Sequence, residues 1–248
     1  KYNLILIIIT MYNNCNVINP SSKHKFTFIL LHPMYCNSDY FNSLILNFKK
    51  KYYSKFIFES IKFIMINSPK IDIDYPHNKL HNISAWYNYY TCNDGIDKLD
   101  KINIEQYYFQ SNRILNIINN EAFILNNYNK IFLVGVSQGG TLLFDILNNI
   151  PRNIGGIFAI KTIYMYKYTK LTNKFINTPI YIFSGNNDDI YTIKFQKKCY
   201  RKIINKKYKT KWLIKENLDH NTKSLDEDNF IINNFINKII NSEYEFFF

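Results

Sequence analysis

Arginine is nearly absent: of the 31 basic residues, only Arg113, Arg152 and Arg201 carry a guanidinium. Base and phosphate recognition leans on that planar fork, so a formal net charge of +12 carried by lysine does not make a nucleic-acid binder. The lysines run through the whole chain alongside an excess of Asn, Ile, Tyr and Phe, the pattern of compositional bias in an AT-rich genome. Lys49–Lys51, Lys197–Lys198 and Lys206–Lys207 offer a shallow basic face for transient contact with anionic membrane headgroups. Long hydrophobic runs are missing too. The longest, Leu4 to Ile9, has six residues, against roughly 20 for a membrane-spanning helix. With 7 Gly and 6 Pro, collagen-like and Gly/Pro-rich disordered chains are excluded. The four cysteines (Cys15, Cys36, Cys92, Cys199) form no Cys-x-x-Cys pair. Neither a zinc site nor a disulfide framework is indicated, and the expected setting is reducing and cytoplasmic.

What remains is globular material: 248 residues, 47% hydrophobic and 20% charged, the size of one large domain. Residues 1–16 read as an N-terminal extension or edge strand, with Leu4–Thr10 more strand than the end of a signal sequence. Residues 17–248 read as a single domain. Short β-branched and aromatic runs predict buried strands at Phe26–His32, Phe63–Ile66, Ile131–Gly135, Gly156–Ile160, Pro179–Ser184 and Lys211–Ile214. Helical spacing predicts helices over Tyr40–Tyr52 (with Asp39 as N-cap), Ile104–Leu125, Gln138–Asn149, Ile193–Asn205 and Glu227–Ile240. This alternation makes an α/β fold, a mostly parallel central sheet with helices on both faces. Asp72–Asp100 fits neither period, is rich in aromatics, and reads as a long functional excursion.

The chemistry centres on Gly135-Val136-Ser137-Gln138-Gly139, followed by Gly140, placed directly after a strand and before a helix. That is the setting of a nucleophile elbow. The turn strains the serine backbone, and the flanking positions pass too close to other backbone to carry a Cβ. The partners of such a serine follow in the order acid, then histidine. Among the five histidines only His220 lies after Ser137. Asp145 sits inside the helix after the elbow, and Asp219 adjoins His220 and does not turn back readily onto its neighbour's ring. Asp188 and Asp189 follow the strand Pro179–Ser184 and the turn Gly185-Asn186-Asn187. Asp188 is favoured on spacing, with Asp189 as the alternative. Ser137 then attacks, His220 moves the proton, and the aspartate holds the ring's tautomer. No His, Cys, Asp or Glu cluster has metal-ligand spacing, so neither a metal nor a cofactor is expected.

Four blocks in order resemble the acyl-protein thioesterases of the phospholipase/carboxylesterase family, within the α/β-hydrolases. Leu30-Leu31-His32-Pro33-Met34 stands where that family has Leu-His-Gly-x-Gly, and Ser84-Ala85-Trp86-Tyr87 resembles its Ser-Trp-Phe-Asp block. Val136-Ser137-Gln138-Gly139-Gly140 is close to its Phe-Ser-Gln-Gly-Gly elbow. Ser184-Gly185-Asn186-Asn187-Asp188 falls where it has His-Gly-x-x-Asp. The resemblance spans about residues 17–240. It implies an α/β-hydrolase fold, a triad of Ser137, Asp188 and His220, and an oxyanion hole made by the backbone N–H groups of Met34 and Gln138. It also implies S-acylated proteins, lysophospholipids or other esters as substrates; a monomer or weak dimer is expected. Three positions depart from the family: Pro33 for Gly, Ser184 for His, and Tyr87-Asn88 for Phe-Asp. Tyr35, Trp86 and Tyr87 are the expected acyl-binding residues. The alternatives are a small-molecule carboxylesterase or lysophospholipase, and a non-catalytic binding protein on a hydrolase scaffold.

Overall fold

The structure, a computed structural model, describes residues 12–51, 55–172, 174 and 176–244. The proposed strand Leu4–Thr10 lies outside the described residues. Among the described residues seven strands form one sheet: β1 (Cys15–Ile18), β2 (Phe26–Leu31), β3 (Ile61–Ile66), β6 (Ile131–Val136), β7 (Gly156–Ile160), β8 (Ile180–Gly185) and β9 (Thr210–Lys215). Two more, β4 (Lys70–Tyr75) and β5 (Asn78–Ser84), form a separate hairpin. The large sheet has the order β1-β3-β2-β6-β7-β8-β9. Only the edge strand β1 runs antiparallel, against β3; every other pair is parallel.

Alternate side chains of each inner strand leave on opposite faces, so both faces must be covered. On one face Ile29, Leu31, Leu133, Ile157 and Ala159 pack under α3 (Ile104–Leu125), α4 (Gln138–Asn149) and α5 (Ile193–Ile204). Phe28, Leu30, Phe132, Val134 and Phe158 face the other way, under α1 (Asn42–Lys50) and α6 (Leu225–Tyr244). A short turn of helix, α2 (Lys55–Phe58), precedes β3. Because β2, β6, β8 and β9 are parallel, their C-terminal ends share one edge of the sheet. The segments leaving that edge carry Met34, Ser137, Asp188 and His220, residues far apart in the chain.

Two expectations need correction. The helix expected over Tyr40–Tyr52 begins as a 3-10 turn, Ser38–Phe41, capped by Asn37 rather than Asp39. The Asn37 side chain accepts a hydrogen bond from the Asp39 backbone N–H at 2.8 Å, so Asp39 lies within the turn. The start of the aromatic excursion is an ordered hairpin, with Tyr75 opposite Asn78 across a two-residue turn at Pro76-His77. Its register shifts between Ile71 and Ile73, which breaks the alternation on β5 and hides the strand pair from a period count.

The face beneath α6 is built from aromatic rings. Phe28 stacks on Phe63 and Phe132 at centroid distances of 5.7 and 5.3 Å, and Phe158 on Tyr181 at 4.7 Å. Phe235 of α6 stands edge-on to Phe26, Phe28 and Phe132 at 5.5, 4.9 and 4.8 Å, tying the helix to strands β2 and β6. Phe235→Ala should therefore destabilise the fold by about 3–5 kcal/mol in urea unfolding. Phe235→Leu, which keeps most of the volume, should cost clearly less.

Candidate active site

Ser137 joins β6 to α4 with φ 50° and ψ −120°, a conformation costly for a residue with a side chain. The surroundings hold it there. Its N–H donates to the Ile160 carbonyl at 3.0 Å, and its carbonyl accepts from the Gly140 and Thr141 N–H groups and from Thr162 Oγ1 at 2.7 Å. A Cβ on Gly135 would lie 2.6 Å from the Gly140 Cα, and one on Gly139 2.6 Å from the carbonyl oxygens of Leu31 and His32. The glycines therefore let the elbow close on itself and press against the end of β2.

The structure brings Ser137, His220 and Asp188 into one chain of hydrogen bonds. Ser137 Oγ lies 2.8 Å from His220 Nε2, and His220 Nδ1 lies 2.9 Å from each Asp188 carboxylate oxygen. An ionised carboxylate only accepts, so Nδ1 carries the ring proton and Nε2 is left to accept from the serine hydroxyl. Asp188 is buried and further held by the N–H groups of Ile190 and Tyr191 at 3.1 and 2.7 Å. Asp189 is exposed. Asp219 turns to Thr222, and Asp145 accepts from Thr169. Of the four aspartates weighed, only Asp188 reaches the imidazole in this structure.

Supporting residues that sequence reasoning missed surround this chain. Gln196 of α5 donates to Asp188 Oδ2 at 3.4 Å and to the Tyr191 carbonyl at 2.7 Å. Its own oxygen accepts from Ser184 Oγ at 2.5 Å, and Ser184 in turn accepts from Trp212 Nε1 at 2.9 Å. Ser184, one of the departures from the family pattern, thus sits in a buried polar network behind the acid. Lys161, at the end of β7, pairs with Glu227 at 2.8 Å and donates to the Thr222 carbonyl at 2.8 Å, two residues after His220. Both charges of that pair are almost fully buried, so each depends on the other. No local sequence pattern marks these residues, because their contacts depend on how the loops beyond β8 and β9 and the start of α6 come together.

Gln138 opens α4, where the first N–H groups have no acceptor within the helix. Its side chain accepts from the Trp86 N–H and donates to the Tyr87 carbonyl, both at 2.8 Å, clamping that loop to the elbow. Met34 follows Pro33 and lines the same cavity as Ser137 and Gln138. Proline removes only its own N–H, so the Met34 donor remains. The expected acyl-binding roles of Trp86 and Tyr87 are corrected: both rings are fully buried behind the cavity wall. Trp86 Nε1 donates to the His32 carbonyl at 2.8 Å, and the Tyr87 hydroxyl lies 2.7 Å from Thr141 Oγ1. Tyr35, 58% exposed, does line the cavity, which has room for about 310 Å³. Tyr89, an aromatic of the excursion, joins it there, as do Tyr75, Tyr191, Asp94 and Asp100, which sequence reasoning missed. Among the described residues no group of three or more His, Cys, Asp or Glu is arranged to hold a metal ion.

Strand order, parallel pairing, two helical layers and the elbow at the sheet's C-terminal edge define an α/β-hydrolase fold. The model of the phospholipase/carboxylesterase family matches residues 12–240, and the chain belongs to that family. Arabidopsis thaliana SOBER1 superposes with a TM-score of 0.70 at 16% identity, over 87% of this chain and 99% of that one. The Bacillus cereus carboxylesterase gives 0.69 at 13% identity, over 93% and 98%. Zea mays acyl-protein thioesterase 2 gives 0.68 at 12% identity, over 90% and 98%. Curated protein sequences contain no match to the chain. At these identities the superpositions speak for the fold alone. Among the described residues no helix is long and apolar enough to cross a membrane.

His32 couples the loop before Met34 to pH. Its ring is buried, with Nδ1–H donating to the Pro33 carbonyl at 2.7 Å and Nε2 accepting from the Ser68 N–H at 3.0 Å. Burial lowers its pKa to about 4, whereas the unfolded chain protonates near the ordinary value of about 6.5. Between those values the unfolded state binds more protons, so His32's contribution to stability is full above about pH 6.5 and lost as the pH falls towards 4. NMR titration of the folded protein should place the His32 ring near pH 4. Urea unfolding should lose about 3 kcal/mol through this group across that window.

Proposed function

We propose that the protein is a serine hydrolase that cleaves acyl esters or thioesters through an acyl-enzyme, acting as an acyl-protein thioesterase or a close carboxylesterase relative. The single observation carrying this reading is the unbroken chain from Ser137 Oγ through His220 to Asp188, at 2.8 and 2.9 Å. Ser137 Oγ attacks the scissile carbonyl while His220 Nε2 takes its proton. The oxyanion of the tetrahedral intermediate is received by the N–H groups of Met34 and Gln138, aided by the N-terminal end of α4. Collapse expels the alcohol or thiol with the proton from His220. Water, deprotonated by the same nitrogen, then releases the acid and restores the serine. Asp188 stabilises the imidazolium formed in each half-reaction. The sequence needs no cofactor.

The cavity favours the carboxylesterase end of this range. It is small, and its wall carries five tyrosine rings and two carboxylates beside the apolar Pro33, Met34, Val136 and Ile190, which suits a compact ester better than a long acyl chain. The exposed face of α5, with Lys194, Lys197, Lys198, Arg201 and Lys202, supports transient contact with an anionic membrane surface. The four free cysteines support a cytoplasmic setting. Hydrolysis of S-palmitoyl peptides and short p-nitrophenyl esters by the wild type and Ser137→Ala tests the assignment. Activity on at least one substrate should fall about a thousandfold or more in the variant. A folded wild type inactive on both, or a variant as active as the wild type, overturns it.

A further inference from the structure

The cavity beside Ser137 is opposite in charge to the molecule that contains it. The chain has a net charge of +12, yet among the described residues no lysine or arginine lines this cavity, whereas Asp94 and Asp100 do. Neither carboxylate forms an ion pair among the described residues. Asp100 accepts a hydrogen bond from Thr91 Oγ1 at 2.7 Å and further hydrogen bonds from Asn93. Four tyrosines complete this part of the wall: Tyr35, Tyr75, Tyr89 and Tyr191. Tyr75 and Tyr89 stack at 5.8 Å, and Tyr191 stands perpendicular to the His220 ring at 5.4 Å, so the wall reaches the catalytic imidazole.

The two chemistries are one surface. The pKa of the Tyr75 hydroxyl is raised, first by burial and then by Tyr35 and the charges of Asp94 and Asp100; that of Tyr35 is raised by burial and Asp94. Burial also lifts the Asp100 carboxyl to about 6, which leaves it mostly ionised at neutral pH. An anionic substrate would meet uncompensated negative charge here, and a purely aliphatic one would leave it unanswered. A cation answers both features, because ring faces and carboxylates attract positive charge together. Rings favour a bulky, weakly hydrated methylated nitrogen over a compact, strongly hydrated lysine ammonium.

We propose that the tyrosine and carboxylate wall binds a quaternary ammonium group on the substrate, so that the preferred ester joins an acyl group to an alcohol bearing a methylated cationic nitrogen. This rests on the reading of Ser137 as the nucleophile. In the acylation step the Ser137 Oγ–acyl bond forms and the bond between the acyl carbon and the alcohol oxygen breaks. The amino alcohol leaves with the proton from His220, and water later releases the carboxylic acid.

The test compares kcat/KM for butyrylcholine with that for its uncharged carbon isostere, 3,3-dimethylbutyl butyrate, in the wild type and in Asp94→Asn/Asp100→Asn. The wild type should prefer the cationic ester by about tenfold or more, and the double variant should bring that ratio towards one. In parallel, calorimetry should detect binding of benzyltrimethylammonium to Ser137→Ala, weakened when the two aspartates are also replaced. A ratio near or below one with both esters turned over overturns the proposal, as does absence of ammonium binding. If the ammonium binds but neither ester is hydrolysed, the cation site stands and the Ser137 chemistry fails. Faster turnover of a lysine-flanked S-acyl peptide than of butyrylcholine would assign the wall to a protein ammonium and overturn the quaternary-ammonium assignment.

Discussion

The left-handed backbone at Ser137 is the constraint on which the rest of the site hangs. A φ of 50° is held by hydrogen bonds to the residue's own N–H and carbonyl. The turn that results aims Oγ at His220 and starts α4 at the next residue. Starting the helix there puts the Gln138 side chain against Trp86 and Tyr87, and Gly139 against the His32 carbonyl. One tight turn thereby fixes Ser137, the end of β2 that leads to Met34 and the loop leading to the tyrosine wall. A substitution that relaxed the turn would move all three together.

The rest of the framework delivers partners to that turn. Parallel strands bring the ends of β2, β8 and β9 to the edge where β6 ends, and buried polar groups hold the loops beyond them. Gln196, Ser184 and Trp212 stand behind Asp188, while the Lys161–Glu227 pair grips the loop after His220. Such groups are costly to desolvate and gain only when every partner is in place, which makes them suited to fixing geometry. Charge is divided in the same spirit: lysines lie on the outer face of α5, and uncompensated carboxylates inside the cavity.

The parallel sheet was legible because each buried strand is a short β-branched or aromatic run, and the span of α3, Ile104–Leu125, matches its apolar stripe to the residue. The hydrogen-bonded arrangement of Ser137, His220 and Asp188 was legible for a different reason: strand context selects Ser137, chain order leaves only His220, and loop spacing points to Asp188. The hairpin was not, although Ile71, Ile73 and Tyr75 alternate with Asp72 and Asp74, because the register shift interrupts the pattern. Nor does sequence tell on which side of a loop an aromatic ring falls. Trp86 and Tyr87 pack inward while Tyr89, two residues on, reaches the cavity, and tertiary packing alone decides between them.

The central claim is that Ser137 is a nucleophile activated by His220, and labelling with a fluorophosphonate probe addresses it most directly. Mass spectrometry should locate the adduct on Ser137 in the wild type. It should find none in Ser137→Ala and greatly slowed labelling in folded His220→Gln. A folded wild type that resists the probe, or a His220→Gln variant labelled at the wild-type rate, would contradict the account.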